Sequence, residues 1–230
     1  MSMDKSIKIG LISDIHGNLS ALQAVLDYLD SAKVENIVCL GDTSGYHPQI
    51  NECIEILRAR NIPSVMGNHD WYLASGRCLR STLVNVCIDY QRTIISSKNL
   101  DWLKSLPLEI DMFGVRMVHG GWSDPLDEYL EPTDRYFETL RGSYFASGHS
   151  HISQIFSSNE KTWCNPGSVG QPRDGNPDAS FAIFNGSNFE LKRVKYNIDQ
   201  TVEACVAAGL PHKVFGGLSH GSKTLTDGST

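Results

Sequence analysis

Residues 11–18 read LISDIHGN, and this stretch joins a candidate buried strand to a candidate binding site. The apolar residues between positions 7 and 12 are typical of a strand in a hydrophobic core. The strand ends abruptly in Asp14 and His16. Because an ionised carboxylate is costly to bury unless it is paired or bound to a metal, this ending indicates either a solvated turn or half of a site.

The first third of the chain alternates predicted strands and helices. After the opening strand, apolar residues recur at helical spacing from Leu19 to Leu29, and Asn18 is a suitable N-cap. The sequence IVCL at 37–40 predicts a second strand, and the apolar spacing over 50–57 predicts a second amphipathic helix. Strands separated by helices of this length predict a parallel sheet.

The remaining two thirds predict a helical middle followed by short strands and a final helix. The segment LEIDMFGVRMVHGG at 108–121 alternates about a Phe-Gly turn, which predicts a hairpin. Asp199 is expected to cap the last helix. We expect one α/β domain over residues 1–218 and a flexible C-terminal tail over 219–230.

The bulk composition limits the class of protein. A chain of 230 residues is long enough for a substantial core, and its net charge of −6 does not favour sequence-independent binding of nucleic acid. The chain has no apolar run long enough to span a bilayer, and its first residues do not form a signal peptide. Six cysteines without a CxxC pair are typical of reduced thiols, so we expect a cytoplasmic protein. The oligomeric state is left open.

Metal-capable side chains recur directly after the predicted strands. They are Asp14, His16, Asp42, Asn68, His119, His149 and His151. Taken singly, each is explained by a helix cap or a turn. The repetition of one pattern, an apolar strand followed by Gly or Ser and then a ligand, favours a common site, because ligands of α/β folds cluster at the carboxyl ends of strands.

The donor types indicate which metals would bind. Carboxylate, amide and imidazole donors without thiolate favour Mn, Fe, Zn or Ni over a structural zinc site. Seven candidate ligands exceed what one tetrahedral ion needs and suit two ions that share a carboxylate. Sites with two such ions typically catalyse displacement at phosphorus.

In this order, the motifs D-x-H, GD, GNHD, H and GH-x-H resemble those of the calcineurin-like metallophosphoesterase superfamily, particularly the small bacterial phosphodiesterases of the YfcE type. The segment NPGSVGQPRDG at 165–175 extends the likeness. The resemblance implies a four-layer α/β/β/α sandwich of two mixed β-sheets flanked by helices. It also implies two divalent ions, Mn favoured, and a hydroxide between them that attacks phosphorus.

The resemblance also implies a role for each motif residue. One metal would be held by Asp14, His16, Asp42 and His151, and the second by Asp42, Asn68, His119 and His149. His69 matches the residue that donates a proton to the leaving alkoxide, and Asp70 either orients it or points away. The loop at 165–175 is either a connection stiffened by its prolines or a functional segment, in which Asn165, Gly167 and Ser168 brace the metal site while Arg173 reaches the phosphate. Asn165 and Ser168 are, with Arg173, also candidate substrate contacts.

Departures from the superfamily bear on the substrate, which we expect to be a small phosphate ester or a nucleotide. The protein phosphatases of the superfamily carry arginines after GD and before GNH, where this chain has TSGYHP and Met-Gly. Without that clamp for a dianion, a phosphodiester is favoured. The alternatives are a phosphomonoesterase, a dinucleoside polyphosphate hydrolase, or a catalytically silent scaffold for protein interactions. Tyr46 and Trp122 could stack on a nucleobase or could be packing residues.

Overall fold

The computed structural model describes residues 8–77 and 82–222. Two β-sheets form the centre of the fold, and helices lie on both outer sides. The strands of the described residues are β1 Ile9–Ile12, β2 Asn36–Cys39, β3 Glu109–Met112, β4 Val115–Val118, β5 Tyr144–Ala146, β6 Gln154–Ser158, β7 Lys161–Asn165, β8 Ala179–Phe184 and β9 Phe189–Val194. The α-helices are α1 Leu19–Ser31, α2 Ile50–Ala59, α3 Asn68–Ser75, α4 Thr82–Ile94, α5 Ser97–Lys104, α6 Asp134–Glu138 and α7 Ile198–Ala207.

Both sheets are mixed. The four-stranded sheet has the order β2-β1-β8-β9, in which β1 runs parallel to β2 and antiparallel to β8. The five-stranded sheet has the order β3-β4-β5-β7-β6, in which β4, β5 and β7 run parallel. The predicted parallel pairing of the first two strands is confirmed, as is the β3–β4 hairpin, which turns between Met112 and Val115.

Three clusters of apolar residues lie between the layers of the fold, which follow one another in the predicted order α/β/β/α. The inner faces of the two sheets meet through residues such as Leu11, Val38 and Met117. Helices α1 and α2 cover the outer face of the four-stranded sheet. The outer face of the five-stranded sheet packs against Phe137 of the short helix α6. The α/β/β/α sandwich is confirmed, and its fourth layer contains one helix of only five residues.

The helix caps are partly as predicted. The side chain of Asn18 accepts a hydrogen bond from the backbone N–H of Ala21 and caps α1. The last helix is capped by Asn197, whose side chain accepts from the N–H of Gln200. The prediction of Asp199 as the cap was therefore wrong by two residues, because Asp199 already lies in the first turn of α7.

The structure describes the C-terminal segment as far as residue 222. The flexible tail that we predict over 219–230 lies, from residue 223 onward, outside the described residues, and so does Cys78. Within the described part, a short 3-10 helix covers Leu218–His220, and the carbonyl of Gly221 accepts from the N–H of Gly175. None of the described helices is long and apolar enough to cross a membrane.

Candidate metal centre

The predicted ligands come together where four strands end. Strands β1, β2, β4 and β5 are followed within a few residues by Asp14 and His16, by Asp42, by His119, and by His149 and His151 respectively. Asn68 lies in the first turn of α3. All seven side chains are buried, with at most 5% of any residue exposed. The carboxyl ends of the parallel pair β1 and β2 in one sheet and of the parallel pair β4 and β5 in the other therefore lie beside the same cluster of side chains.

One group of donors surrounds a carboxylate oxygen of Asp14. The Nε2 atom of His151 lies 3.2 Å from Asp14 Oδ1, and that of His16 lies 3.7 Å from the same oxygen. The two imidazole Nε2 atoms are 3.1 Å apart. Three donor atoms at such spacing can share one cation.

Asp42 lies between this group and a second one. Its Oδ2 atom is 3.7 Å from His16 Nε2 on one side and 3.4 Å from His119 Nε2 on the other. The same His119 atom lies 3.1 Å from the amide oxygen of Asn68. Asp42 is therefore the carboxylate that both groups can share, as a bridging ligand must be.

Three imidazoles are oriented in the same way. The Nδ1 atoms of His16, His119 and His151 contact the backbone carbonyls of Ser44, Leu40 and Gln171 at 2.6, 2.8 and 2.7 Å. A ring that donates from Nδ1 to a carbonyl presents the lone pair of Nε2. This outer hydrogen bond is typical of metal-ligating histidine.

His149 stands at the edge of the second group. Its ring centroid lies 5.1 Å from that of His119, and its backbone N–H donates to Asp14 Oδ2 at 3.1 Å. His149 thereby connects the two groups through its main chain as well as its side chain. Its ring also contacts that of Tyr129, at a centroid distance of 4.2 Å.

The backbone of the site is strained. Among the described residues, eleven other than glycine have a positive φ between 48° and 68°. Six of them belong to the site, namely Asp14, His16, Asp42, Tyr46, His149 and His151. Left-handed backbone of this kind concentrates at functional sites, where surrounding contacts hold it in place.

Close backbone approach requires glycine beside two ligands. A Cβ atom on Gly67, which directly precedes α3, would lie 2.0 Å from Asp42 Oδ1. A Cβ atom on Gly148 would lie 2.7 Å from Asp14 Oδ2. Any larger residue at either position would displace a carboxylate from the site.

Burial and mutual charge perturb the titration of these groups. Burial raises the pKa of Asp42 to about 7. Burial alone would lower the pKa of His119, but the neighbouring Asp42 outweighs it and raises that pKa to about 10. Burial would raise the pKa of Asp14, whereas the electrostatic attraction of the neighbouring His151 lowers it below its usual value. The carboxylates thus attract positive charge, which protons or cations can supply.

The donor set fits divalent cations. Among the described residues, none donates a hydrogen bond to the fully buried Oδ1 atom of Asp14. Burial is the largest cause that lowers the pKa of both His16 and His151, which keeps these rings neutral and able to ligate. Oxygen and imidazole donors without thiolate are those predicted from the sequence.

His69 lies at the side of the site, next to Asn68. Its ring centroid is 4.8 Å from that of His16, and its backbone N–H donates to Asp42 Oδ1 at 2.9 Å. The Nδ1 atom is buried, and no partner for it lies among the described residues. Burial is the largest cause that lowers the pKa of His69 well below its usual value, and the charge of Arg173 acts in the same direction.

Asp70 does not orient His69. Its carboxylate accepts hydrogen bonds from the backbone N–H groups of Thr43, Ser44 and Gly67, at 3.3, 2.9 and 3.1 Å. These contacts join the loop after β2 to the start of α3. Of the two interpretations that the sequence left open, the structure favours the one in which Asp70 points away.

The loop at 165–175 braces the site from the second half of the chain. Asn165 donates to the carbonyl of Gly148 at 2.6 Å and to Ser150 Oγ at 3.0 Å. Ser168 donates to the carbonyl of Asp14 at 2.7 Å. Because these bonds use the donors of Asn165 and Ser168, they favour the expected bracing role over direct contact with substrate.

Arg173 lies beside the histidines. One guanidinium nitrogen donates to the Tyr46 hydroxyl at 2.9 Å, and the group stands 5.7 Å from the centre of that ring. Its positive charge is among the causes that lower the pKa values of His16, His69 and His151. A cation at this distance can attract an anionic substrate to the site.

The two aromatic residues singled out in the sequence are packing residues. Tyr46 is 7% exposed and packs edge-on against His16, at a centroid distance of 4.7 Å. Trp122 packs edge-on against Phe137 and Phe145 on the far side of the five-stranded sheet. Of the two interpretations of these residues, the structure favours the one without nucleobase stacking.

Two buried residues near the site escape sequence analysis. The side-chain amide of Gln91 in α4 makes three hydrogen bonds to the backbone of Gly45 and His47, at 2.7 to 3.0 Å. His47 is fully buried, and its Nδ1 contacts the carbonyl of His16 at 2.9 Å. A single glutamine in an amphipathic helix forms no sequence pattern that would predict such contacts.

Comparisons with known proteins agree with this geometry. The family described as calcineurin-like phosphoesterase superfamily domain matches residues 7–189. An uncharacterised protein of Methanocaldococcus jannaschii is 37% identical over 229 aligned positions, covering 88% of this chain and 93% of that protein.

Solved structures share the fold. A metallophosphoesterase from Sphaerobacter thermophilus is 32% identical, with a TM-score of 0.82 over 94% of this chain and 99% of that one. A hypothetical protein from Pyrococcus horikoshii OT3, 20% identical, has a TM-score of 0.84 over the same shares of the two chains and shows the likeness of fold alone. Because the family match spans most of the chain and includes every candidate ligand, this chain belongs to the calcineurin-like phosphoesterase superfamily.

Proposed function

We propose that this chain is a metal-dependent phosphoesterase whose favoured substrate is a small or nucleotide-like phosphodiester. The convergence of three Nε2 atoms, from His16, His119 and His151, on the carboxylates of Asp14 and Asp42 carries this proposal. Membership of the superfamily supports hydrolysis of phosphate esters as the reaction class.

The proposed ligands form two sets. Asp14, His16, Asp42 and His151 would hold one ion, and Asp42, Asn68, His119 and His149 the other. Mn²⁺ is our first choice, and Fe, Zn and Ni suit the same donors. Bound in pairs, such ions supply an acidified water as nucleophile and neutralise charge on the phosphoryl oxygens.

The preference for a diester follows from the charge that faces the substrate. The stretch TSGYHP follows Asp42, and Met66 precedes the GNH at 67–69. The protein phosphatases of the superfamily carry arginines shortly after GD and just before GNH, and this chain has none there. Arg173 is placed to meet one negative charge, and its hydrogen bond to Tyr46 directs the guanidinium. A diester carries one negative charge, whereas a monoester dianion gains more from a bidentate pair of arginines.

The proposed proton donor is His69. Hydrolysis breaks one P–O bond, joins the oxygen of water to phosphorus, and leaves an alkoxide that must take a proton. Because burial holds the pKa of His69 low, we infer that the bound anionic phosphate is what allows this ring to carry the proton. The ring lies 4.8 Å from His16, within the same buried cluster.

The first experiment measures hydrolysis by the Mn²⁺-loaded full chain. Rates on bis(4-nitrophenyl) phosphate and on 4-nitrophenyl phosphate are compared for wild type and Asp42→Asn, with the exposed Asp199→Asn as the matched control. We expect a higher kcat/KM for the diester and a loss of about 10²-fold or more in Asp42→Asn, because both ion sites lose a shared anion.

Other outcomes decide between the alternatives. A higher kcat/KM for the monoester would contradict the argument from the missing arginines. A greater rate on a dinucleoside polyphosphate than on either ester would favour the anhydride hydrolase. Two bound ions per chain without turnover of any of these substrates would favour the scaffold.

For the cellular location of the protein, we infer the cytoplasm. The five cysteines of the described residues support this inference, because all of them are free and buried.

A further inference from the structure

Tyr129 is an exposed aromatic residue at the edge of the candidate metal centre. Its ring centroid lies 4.2 Å from that of the proposed ligand His149, yet 56% of the residue is exposed. One side of the ring is therefore covered by a residue of the site, while the rest remains open to solvent. An aromatic ring left open in this way can gain contact energy from a ligand.

The segment that carries Tyr129 is held in place by hydrogen bonds. We call residues 120–129 the rim loop. The carboxylate of Glu128 accepts from the backbone N–H groups of Ser123 and Asp124, at 2.9 and 3.2 Å, and from the hydroxyl of Tyr136 at 2.8 Å. Glu128 directly precedes Tyr129, so these bonds hold the rim loop beside the residue that carries the ring.

The rim loop also contacts the helix that carries Asn68 and His69. The hydroxyl of Tyr72 in α3 donates to the carboxylate of Asp127 at 3.0 Å. On its other side the rim loop follows His119, and the N–H of Gly120 donates to the carbonyl of Pro125 at 2.8 Å. The rim loop thus borders the proposed ion site of Asn68 and His119. Within the rim loop, Tyr129 is the exposed aromatic residue.

The two aromatic residues that the sequence singled out, Tyr46 and Trp122, are less suited than Tyr129 to contact a ligand. Tyr46 is buried against His16, and Trp122 packs against Phe145 on the far side of the five-stranded sheet. Ile152, which directly follows His151 in the sequence, is an exposed apolar residue, with 47% of its surface accessible. Aromatic faces of this kind bind bases through stacking, irrespective of which base it is.

We propose that Tyr129 stacks on the nucleobase of the substrate, so that the phosphate esters hydrolysed at this site are nucleotide derivatives. This inference rests on the proposed phosphoesterase function of the same site. It names a specificity residue outside the sequence motifs and a substrate class for which the base, in addition to the phosphate, contributes to binding.

Two esters with the same leaving group test the inference. The 4-nitrophenyl ester of thymidine 5′-monophosphate carries a base, and methyl 4-nitrophenyl phosphate does not. With the Mn²⁺-loaded full chain, we expect Tyr129→Ala to raise the ratio of the two KM values, thymidine ester over methyl ester, by about tenfold. Tyr129→Phe should restore the wild-type ratio, because it keeps the ring.

Phe113→Ala is the matched control. Phe113 is an exposed aromatic at the β3–β4 turn, at the opposite end of β4 from His119, and its removal should leave the ratio unchanged. Equal changes of both KM values in Tyr129→Ala, or a loss of bound Mn²⁺, would overturn the inference, because Tyr129 would then act only through His149. An unchanged ratio would overturn it as well.

A binding measurement separates this inference from the proposed function. If wild type hydrolyses neither ester, the phosphoesterase proposal fails in its present form. Calorimetry with thymidine 5′-monophosphate then decides the inference by itself. A Kd about tenfold weaker in Tyr129→Ala than in wild type supports stacking, and an equal Kd overturns it.

Discussion

His16, His119 and His151 are each oriented by a carbonyl that lies 20 to 79 positions away in the sequence. The structure therefore relies on loop–loop contacts to aim three nitrogen atoms at one place. His69 differs from these rings, because no partner for its Nδ1 lies among the described residues. Its side chain is thus left to interact with what enters the site, which supports the proposed role in proton transfer.

The proton-transfer role predicts a dependence on the leaving group. In His69→Gln, we expect kcat for a dialkyl phosphate to fall by about 10²-fold or more, because the alkoxide needs a proton. For bis(4-nitrophenyl) phosphate the fall should be about tenfold at most, since nitrophenolate leaves without one. Steady-state kinetics of both diesters with the Mn²⁺-loaded protein measure the two losses.

The exposed His212→Gln serves as the control and should resemble wild type with both diesters. Equal losses of kcat for the two diesters in His69→Gln would contradict proton donation. They would indicate instead that His69 only helps to position Asp42, to which its N–H donates.

Among the elements, α4 holds the loop that follows β2 at the candidate metal centre, without contributing a candidate ligand itself. Gln91 binds the backbone of Gly45 and His47 through three hydrogen bonds. The loop in turn places Ser44, whose carbonyl orients His16, and Tyr46, which packs against the same ring. Helix α4 therefore supports the position of the candidate ligand His16 through this loop.

The Gln91→Leu substitution separates this contact from packing. Because three buried backbone groups lose their partner, we expect the free energy of unfolding to fall by about 3 kcal/mol. The affinity for Mn²⁺ should fall by about tenfold or more, because His16 loses its fixed orientation. Urea unfolding of the metal-free protein and calorimetric titration with Mn²⁺ measure the two effects.

Gln200→Leu, on the exposed side of α7, is the matched control and should leave both quantities near wild type. A destabilised Gln91→Leu that binds Mn²⁺ as tightly as wild type would show that α4 supports only the fold. The loop would then hold His16 without help from Gln91.

For the whole molecule, buried histidines link stability to pH. Burial lowers the pKa of His47 to about 4, from an ordinary value of 6.5. The unfolded chain therefore binds the proton first as the pH falls. The stability that neutral His47 contributes is complete above pH 6.5 and is lost as the pH falls toward 4.

We expect His47→Gln to flatten the pH dependence of the free energy of unfolding between pH 6 and 4.5. The slope should decrease by up to about 1.4 kcal/mol per pH unit, which corresponds to one proton. Urea unfolding of the metal-free protein at several pH values measures this slope. Asp42 and His119 also have shifted pKa values, both raised, but wild type and variant share these groups. Their contribution to the pH dependence is therefore the same in both proteins, and the difference between the two slopes reports on His47.

The exposed His220→Gln should reproduce the wild-type slope in the same series. An unchanged slope in His47→Gln would mean that His47 does not remain neutral in the folded chain. The acid sensitivity would then come from the other buried histidines.

The sequence by itself determined the layered fold, the superfamily and the seven candidate ligands. Its information is local: strands are marked by apolar runs, and the ligands follow within a few residues, as Asp14 and His16 follow β1. Once parallel strands are expected, their carboxyl ends must lie together, so the convergence of these side chains could be anticipated.

Only the tertiary structure decided how the remaining residues divide between support and binding. Asp70 turns to three backbone N–H groups, Trp122 is packed behind a sheet, and Gln91 reaches the site from a helix. The exposed ring of Tyr129 beside His149 likewise depends on a loop and a strand end that meet only in the folded chain. Hydrogen bonds and burial between distant segments depend on three-dimensional packing, which no local pattern of residues records.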